Sequence, residues 1–375
     1  MNLLFLSNWY PNSRFIYQGI FIKKHAQAIK SAGVNIKVVA LVFGSSNKLL
    51  ENKTKFFVDE NGIDTLLIEF NSWFYKLFSF NLLFMKLIVN FYVRKYMHDF
   101  KPNVIHSNVL FPSAVIGNEI ALKLKIPFVM TEHWSKVNYY LEHGFYRRKA
   151  RMAIDNLSMI MPVSDYLANK LMPFVSKNKI HVVPNAVDSS IFNYQEKYSN
   201  DRLELVCVAN WEFPKRPDIL FHSIESYVVN CRADVFLNVI GNGSLIDIEK
   251  EKKWSFSIKY HGFLNSHECV EVFRSSAYLL HASDSETFSV VLAEAISCGL
   301  PVIASKVGGI VELINEDNGI LVENKIDEWV RALEEIQMIH FDRKSISDKM
   351  KNKVSLKVVG TEYLNIYKKV IENSN

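Results

Sequence analysis

The run YLLHASDSETFSVVLAEAISCGLPVIA, from Tyr278 to Ala304, decides how this chain is read. It opens with a short apolar strand, Tyr278–Leu280, and passes through a polar loop to Glu286. Ser289 then stands where a cap would, ahead of a helix over Val290–Cys298. A second apolar strand, Pro301–Ala304, follows. Strand, helix and strand in this order make the unit from which parallel sheets are built. Two carboxylates mark it. Glu286 falls in the loop and Glu294 about a turn and a half inside the helix, so the pair spans up to about 12 Å. That separation suits two ends of one extended ligand better than one shared proton. Between them the amides of Thr287, Phe288 and Ser289 face outward at the positive end of the helix, where phosphate binds. Carboxylates accept from hydroxyls and amides hold a diphosphate, so the arrangement fits a sugar–diphosphate–ribose.

The same rhythm extends in both directions. Upstream, strand candidates are Leu3–Ser7, Ile36–Leu41, Thr65–Glu69, Val104–His106, Phe128–Thr131, Met159–Val163 and Ile180–Val183, with helical stretches such as Phe21–Ala32 and Ser113–Lys123 between them. After a polar, strandless stretch, Asp188–Arg202, the pattern restarts. Strands are expected at Leu203–Ala209, Val235–Ile240, Ser257–His261 and Gly319–Val322, and helices at Pro217–Val228, His267–Arg274 and Ile326–Ile336. The expectation is an α/β chain of two Rossmann-like, doubly wound domains facing a cleft, residues 1–187 and 188–354. An amphipathic tail, about 355–375, could pack on either and is expected back on the first. Ligands of such sheets bind beyond the C-terminal ends of the strands.

Composition agrees. With 49% hydrophobic residues the 375-residue chain is not disordered, and its length suits two domains. The net charge of +5 hides a split: residues 1–200 hold 24 basic and 13 acidic side chains (+11), and the remainder carries −6. A basic first half favours an anionic partner, but no nucleic-acid recognition motif is present. Cys207, Cys231, Cys269 and Cys298 form no CxxC pair and read as buried free thiols, which suits a reducing cytosol. Met1–Ser7 reads as a strand and not a signal peptide. The aromatic segment Trp73–Met97 is broken by Lys76, Lys86, Arg94 and Lys95, too often for a spanning helix. An interfacial amphipathic helix and a core helix with a basic outer stripe both stay open for it.

Further candidates lie just after strands. Lys215 and Arg216 precede a helix starting at Pro217 and could meet a leaving diphosphate. Gly19 sits in the loop after the first strand, where backbone can approach a phosphate. Gly241-Asn242-Gly243 follows another strand, but no GxGxxG follows the first, which argues against NAD. His133 and Glu132 close the strand Phe128–Thr131. No carboxylate–histidine cluster suggests a metal cage.

The block Ser285–Ala304, continued by Val307-Gly308-Gly309-Ile310-Val311-Glu312 and Asn318-Gly319-Ile320-Leu321-Val322, closely resembles the donor site of family 4 retaining glycosyltransferases of GT-B fold. Pro162-Val163-Ser164, Val182 with Pro184-Asn185-Ala186-Val187-Asp188, His106-Ser107-Asn108 and Thr131-Glu132-His133 resemble its other signatures. The resemblance implies transfer of a sugar from a nucleoside diphosphate sugar to a glycan or lipid-linked hydroxyl, with retention, without metal or other cofactor. It places Glu286 on the donor sugar, Glu294 on the ribose, Lys215 at the diphosphate, His133 near the reacting centre and Glu132 against the acceptor. Gly19 and Gly241 would line the donor, and the backbone of Phe263 and Leu264 the base. Asn210 stands where the family has an arginine, with Arg216 or Arg14 as substitutes. An enzyme of surface polysaccharide or glycan synthesis, cytoplasmic and in peripheral contact with the anionic inner membrane face, is the expectation. An epimerase or hydrolase of the same fold, or a catalytically weak nucleotide-sugar or membrane-binding subunit, are the alternatives.

Overall fold

A computed structural model describes residues 1–12, 18–44, 51–72, 78–144, 146–196 and 202–374. Arg14 and the first five residues of the aromatic segment lie outside them. The chain forms two compact units, Met1–Ala186 with Leu356–Asn375, and Val187–Ser355.

In the first unit the order is β1 (Asn2–Ser7), α1 (Ile20–Ser31), β2 (Asn35–Gly44), β3 (Glu51–Val58), β4 (Asp64–Asn71), α2 (Phe78–Tyr96), β5 (Val104–Asn108), α3 (Val115–Leu124), β6 (Phe128–Glu132), α4 (Val137–Glu142), α5 (Arg147–Asp155), β7 (Met159–Pro162) and α6 (Asp165–Leu171). They build a seven-stranded sheet of order β3-β4-β2-β1-β5-β6-β7. The Leu3–Leu6 run of β1 is buried on both faces, as central parallel strands require. β3, not foreseen, runs antiparallel to β4. It is an edge strand whose Lys53 and Lys55 face water, which guards against edge pairing and hides the apolar signal. Ile180–Val183, expected as a strand, is not one. It bonds to β7 only through His181 and Val183 and stops at Pro184, whose nitrogen cannot donate.

The second unit runs β8 (Leu203–Val208), α7 (Pro217–Cys231), β9 (Val235–Ile240), α8 (Ser244–Lys250), β10 (Ser257–Gly262), α9 (Ser266–Ser275), β11 (Tyr278–His281), α10 (Val290–Ser297), β12 (Val302–Ser305), β13 (Gly319–Val322), α11 (Ile326–Glu335) and α12 (Arg343–Val354). Its six-stranded parallel sheet has the order β10-β9-β8-β11-β12-β13. The direction of winding reverses between β8 and β11, and in the first unit between β1 and β5. Loops that leave such a pair diverge and open a crevice.

The amphipathic tail is a helix, α13 (Leu356–Glu372), and it packs on α1 in the first unit. Gly360 makes this approach feasible: a Cβ there would lie 2.1 Å from the Ala28 carbonyl oxygen. Beneath it, Tyr363 and Tyr367 lie fully buried. The Tyr363 hydroxyl meets His25 Nδ1 at 2.5 Å and Thr131 Oγ1 at 3.0 Å, and the Tyr367 hydroxyl meets His106 Nδ1 at 2.6 Å. Of the four free thiols, Cys231 is exposed, contrary to expectation, because it ends α7 on its outer side.

Candidate active site

Two loops meet at the switch point of the second unit. One leaves β8 and carries Asn210 to Arg216; the other leaves β11 and carries Ala282 to Ser289. They are zipped together by backbone. Arg216 N–H donates to the Ala282 carbonyl at 3.1 Å and Asp284 N–H to the Pro214 carbonyl at 2.9 Å. Lys215 and Glu286 are thereby brought side by side, and the ammonium donates to Glu286 Oε1 in an ion pair. His281 joins them from the end of β11. Its Nε2 is 3.2 Å from Glu286 Oε1, 3.3 Å from Lys215 Nζ and 3.4 Å from Ser289 Oγ. Burial raises the cost of charging Glu286, but Lys215 and His281 outweigh it and hold the carboxyl down at about 2. Glu286 is thus an anion. Burial and the neighbouring lysine push His281 below its usual range, so the imidazole is neutral.

Backbone fixes Glu286 as firmly as its side chain. Gly309 N–H donates to the Glu286 carbonyl at 3.0 Å. Gly308 adopts φ +51°, and a Cβ there would sit 1.9 Å from that same oxygen. The Val307-Gly308-Gly309 turn is therefore shaped around Glu286.

Ser289 occupies the N-cap position of α10, but its hydroxyl makes no cap bond. With φ at +75° the residue turns its side chain to His281 instead, which corrects the capping role read from the sequence. Phe288 is buried, so it can offer a ligand only backbone. Thr287, half-buried, lies between it and Glu286. Glu294 is half-buried on α10, close enough to Cys269 and Cys298 to help push both thiols up. Arg216, expected as one substitute for the family arginine, is engaged by acidic partners. It grips Asp218 through two bonds, Nε at 2.9 Å and Nη2 at 2.7 Å, and reaches Asp284 at 3.1 Å. Asn210 is exposed, with its carbonyl taken by Glu212 N–H. Gly241 donates to the Gly262 carbonyl at 2.7 Å, which brings the β9 and β10 loops together. Phe263 is exposed and Leu264 half-buried just beyond. Sequence reasoning missed His281; its place at the C-terminal end of a central strand, five residues before Glu286, was the available signal. Among the described residues no group of His, Cys, Asp and Glu is arranged to hold a metal ion.

In the first unit Gly19 forms the turn that opens α1. His133 is buried after β6, with Nε2 3.3 Å from Asn108 Oδ1 and no hydrogen-bond partner for Nδ1 among the described residues. Burial, and then His25 and His106, keep it neutral. Glu132 does not face an acceptor, contrary to expectation. It is fully buried, and its carboxylate accepts backbone N–H bonds from Leu110, His133 and Trp134, at 2.9, 2.8 and 2.8 Å. It staples the loop after β5 to the loop carrying His133. A cavity of about 380 Å³ lies at this switch point, lined by Asn8, Trp9, Phe43, Phe111, Trp134 and Tyr140 among others.

Two family models match: Glycosyltransferase Family 4 over residues 18–191, and Glycosyl transferases group 1 over residues 202–337. The chain belongs to the family 4, group 1 glycosyltransferases. An uncharacterised glycosyltransferase of Methanocaldococcus jannaschii is 29% identical over 225 residues, 59% of this chain and 61% of that protein. The N-acetyl-alpha-D-glucosaminyl L-malate synthase of Bacillus anthracis is 25% identical, with 59% and 61% covered. The chain thus spans about three-fifths of the length of these curated relatives. Among solved structures, Anabaena HepE in complex with UDP and glucose matches with a TM-score of 0.69 at 16% identity, over 98% of this chain and all of that one. That likeness gives the glycosyltransferase its GT-B fold.

Proposed function

We propose that this glycosyltransferase moves a sugar, with retention, from a nucleoside diphosphate sugar to a hydroxyl of a glycan or lipid-linked acceptor. The observation that carries the reading is the Lys215–Glu286–His281 cluster at the start of α10, where an anion, a cation and a helix N-terminus converge at a switch point. The anionic Glu286 accepts from donor-sugar hydroxyls. Lys215 and the amides at the α10 start carry the charge that builds on the departing diphosphate. Glu294 takes the ribose, and the loops of Gly241, Phe263 and Leu264 take the base. His133, neutral, offers a ring nitrogen to a sugar hydroxyl. The acceptor oxygen attacks the anomeric carbon as the phosphate leaves, and the acceptor proton passes to a departing phosphate oxygen, so no side-chain nucleophile is needed. Charge neutralisation by Lys215 lets the step run without metal or other cofactor.

The aromatic cavity at the first switch point suits the acceptor, since sugar rings and prenyl chains both pack on aromatic faces. The place we propose is cytoplasmic, in surface polysaccharide or glycan synthesis, with peripheral contact to the inner membrane face. No helix among the described residues is long and apolar enough to cross a membrane.

Thermal unfolding with UDP-, GDP- and ADP-sugars tests the donor assignment. One nucleotide class should raise the midpoint, by about 2.7 kcal/mol of stability at a hundred times its Kd. Glu286→Ala should abolish the response to the sugar but keep that to the free nucleotide. Transfer by Glu286→Ala and Lys215→Ala at wild-type rates would sink the reading. Product formed from donor and water alone, with no acceptor, would make the protein a hydrolase.

A further inference from the structure

Helix α2 is apolar on two sides. Leu82, Met85 and Val89 face the core and are buried. Leu83, Leu87 and Phe91, spaced four apart on the opposite side, are 57%, 61% and 59% exposed. A surface helix normally turns polar residues outward, and an exposed apolar row of this kind marks a surface with a partner. The row ends in cations: Arg94 and Lys95 follow it on the same face, and both are exposed. The neighbouring end of α3 repeats the pattern, with Leu122 and Leu124 about half exposed among exposed Lys123 and Lys125.

Between the two helix ends lies a cavity of about 410 Å³. Leu4, Met97 and Ile120, all buried, form its floor, and Arg94, Lys101 and Lys123, all exposed, stand at its mouth. An apolar floor under a cationic rim matches a phospholipid with an anionic head. Acidic groups do little to offset the rim. Asp99 lies 2.8 Å from His98 Nε2, a pair that is ionic only when the histidine is protonated, and Glu119 pairs with Lys86, so Arg94, Lys101 and Lys123 outnumber the one acid left at the rim. A second copy of this chain is a poor occupant, because a two-fold contact would press the same cationic patch against itself.

We propose that the α2–α3 face docks on an anionic bilayer. Leu83, Leu87 and Phe91 enter the acyl boundary, the basic residues of both helices meet lipid phosphates, and the cavity receives one anionic phospholipid. This gives the membrane contact proposed above a surface. It rests on that contact and not on the sugar chemistry, so its failure leaves transfer untouched.

Vesicle flotation of the full chain tests it. Vesicles with roughly one-third phosphatidylglycerol in phosphatidylcholine should bind the protein, and pure phosphatidylcholine should bind it at least about tenfold less. Salt at about 0.5 M should weaken binding several-fold. Leu83→Gln with Leu87→Gln and Phe91→Gln should lose at least about tenfold, as should Arg94→Glu with Lys123→Glu. All five side chains are exposed, so circular dichroism should show both variants folded. Native mass spectrometry with lysophosphatidylglycerol below its micelle concentration should show one lipid per chain, lost in Arg94→Glu with Lys123→Glu. A wild type that stays with the supernatant at every composition overturns the proposal. So does a triple variant that floats like wild type, or a concentration-dependent dimer that the triple variant abolishes.

Discussion

Lys215 serves two partners. Without ligand it neutralises Glu286; in the reaction proposed above it must also face the diphosphate. On that reading Lys215→Ala removes a transition-state cation and leaves the half-buried Glu286 carboxylate with His281 but no cation beside it. A fall of about 10²–10³ in kcat is expected, with Glu286 titrating well above its native value of about 2. Steady-state kinetics and a carboxyl titration by NMR check the two halves. Lys215→Arg keeps the charge but not the point geometry, and should recover only part of the rate. Gly308→Ala attacks the same carboxylate from behind. With φ at +51° and a backbone oxygen 1.9 Å from the new Cβ, it should cost more than about 1 kcal/mol and displace Glu286. Urea unfolding and donor affinity should both fall. The carboxylates and Lys215 were legible in the sequence because their spacing from strand ends is fixed by the fold. His281 and the stapling role of Glu132 were not, since both depend on which loops lie across from them. Ser289 misled for a related reason. Its residue type fits a cap, but its backbone angle turns the hydroxyl toward a histidine eight residues earlier.

At the scale of elements, continuously apolar strands such as β1 announced themselves and the polar edge strand β3 did not. A strand exposed on its edge carries lysines for solubility, which erase the pattern that reveals it. The tail was legible as an amphipathic helix that returns to the first unit, but the contacts that seat it were not, because the buried tyrosines look like any apolar stripe. Their hydroxyls settle it. Tyr363→Phe removes an oxygen bonded to both His25 and Thr131; it leaves His25 Nδ1 without that bond, while Thr131 Oγ1 keeps His106 Nε2 at 2.8 Å. A loss of about 1–3 kcal/mol is expected, read by denaturant unfolding and by faster hydrogen exchange in α13 and α1. Unchanged exchange in those helices would show that the hydroxyl bears no weight. Gly360→Ala tests the apolar side of the same contact. Alanine normally stabilises a helix over glycine by up to about 1 kcal/mol, but here the close Ala28 carbonyl should reverse the sign.

For the molecule as a whole, charge and pH act unevenly on the two units. The first unit buries His25, His106 and His133, and desolvation lowers all three, His25 to about 4. Each stays neutral when folded but takes a proton in the unfolded chain near its ordinary value of about 6.5. Acidification from about 6.5 toward 4 therefore favours unfolding, by up to about 1.4 kcal/mol per pH unit for each group. Glu132 works against this. Burial raises it to about 7, so in its case stability is lost as pH rises toward 7 and regained on acidification. Burial also lowers His281 and His261 of the second unit, but His106 and His133 fall well below the ordinary value and His25 to about 4, so the first unit should loosen before the second as pH falls. Hydrogen exchange at about pH 7.5 and about pH 5, resolved by peptide, should show protection lost first in α1, β6 and α13. Equal loss in both units would refute this.

The first unit is discontinuous in sequence, and this orders the birth of the protein. Val187–Ser355 can condense as it leaves the ribosome. The sheet begun before it must wait, with its histidines and the underside of α1 uncovered, until α13 is made. During that interval the nascent chain exposes a greasy seam that chaperones would recognise, and a message broken off after Ser355 would yield a sound second unit joined to an unfinished first.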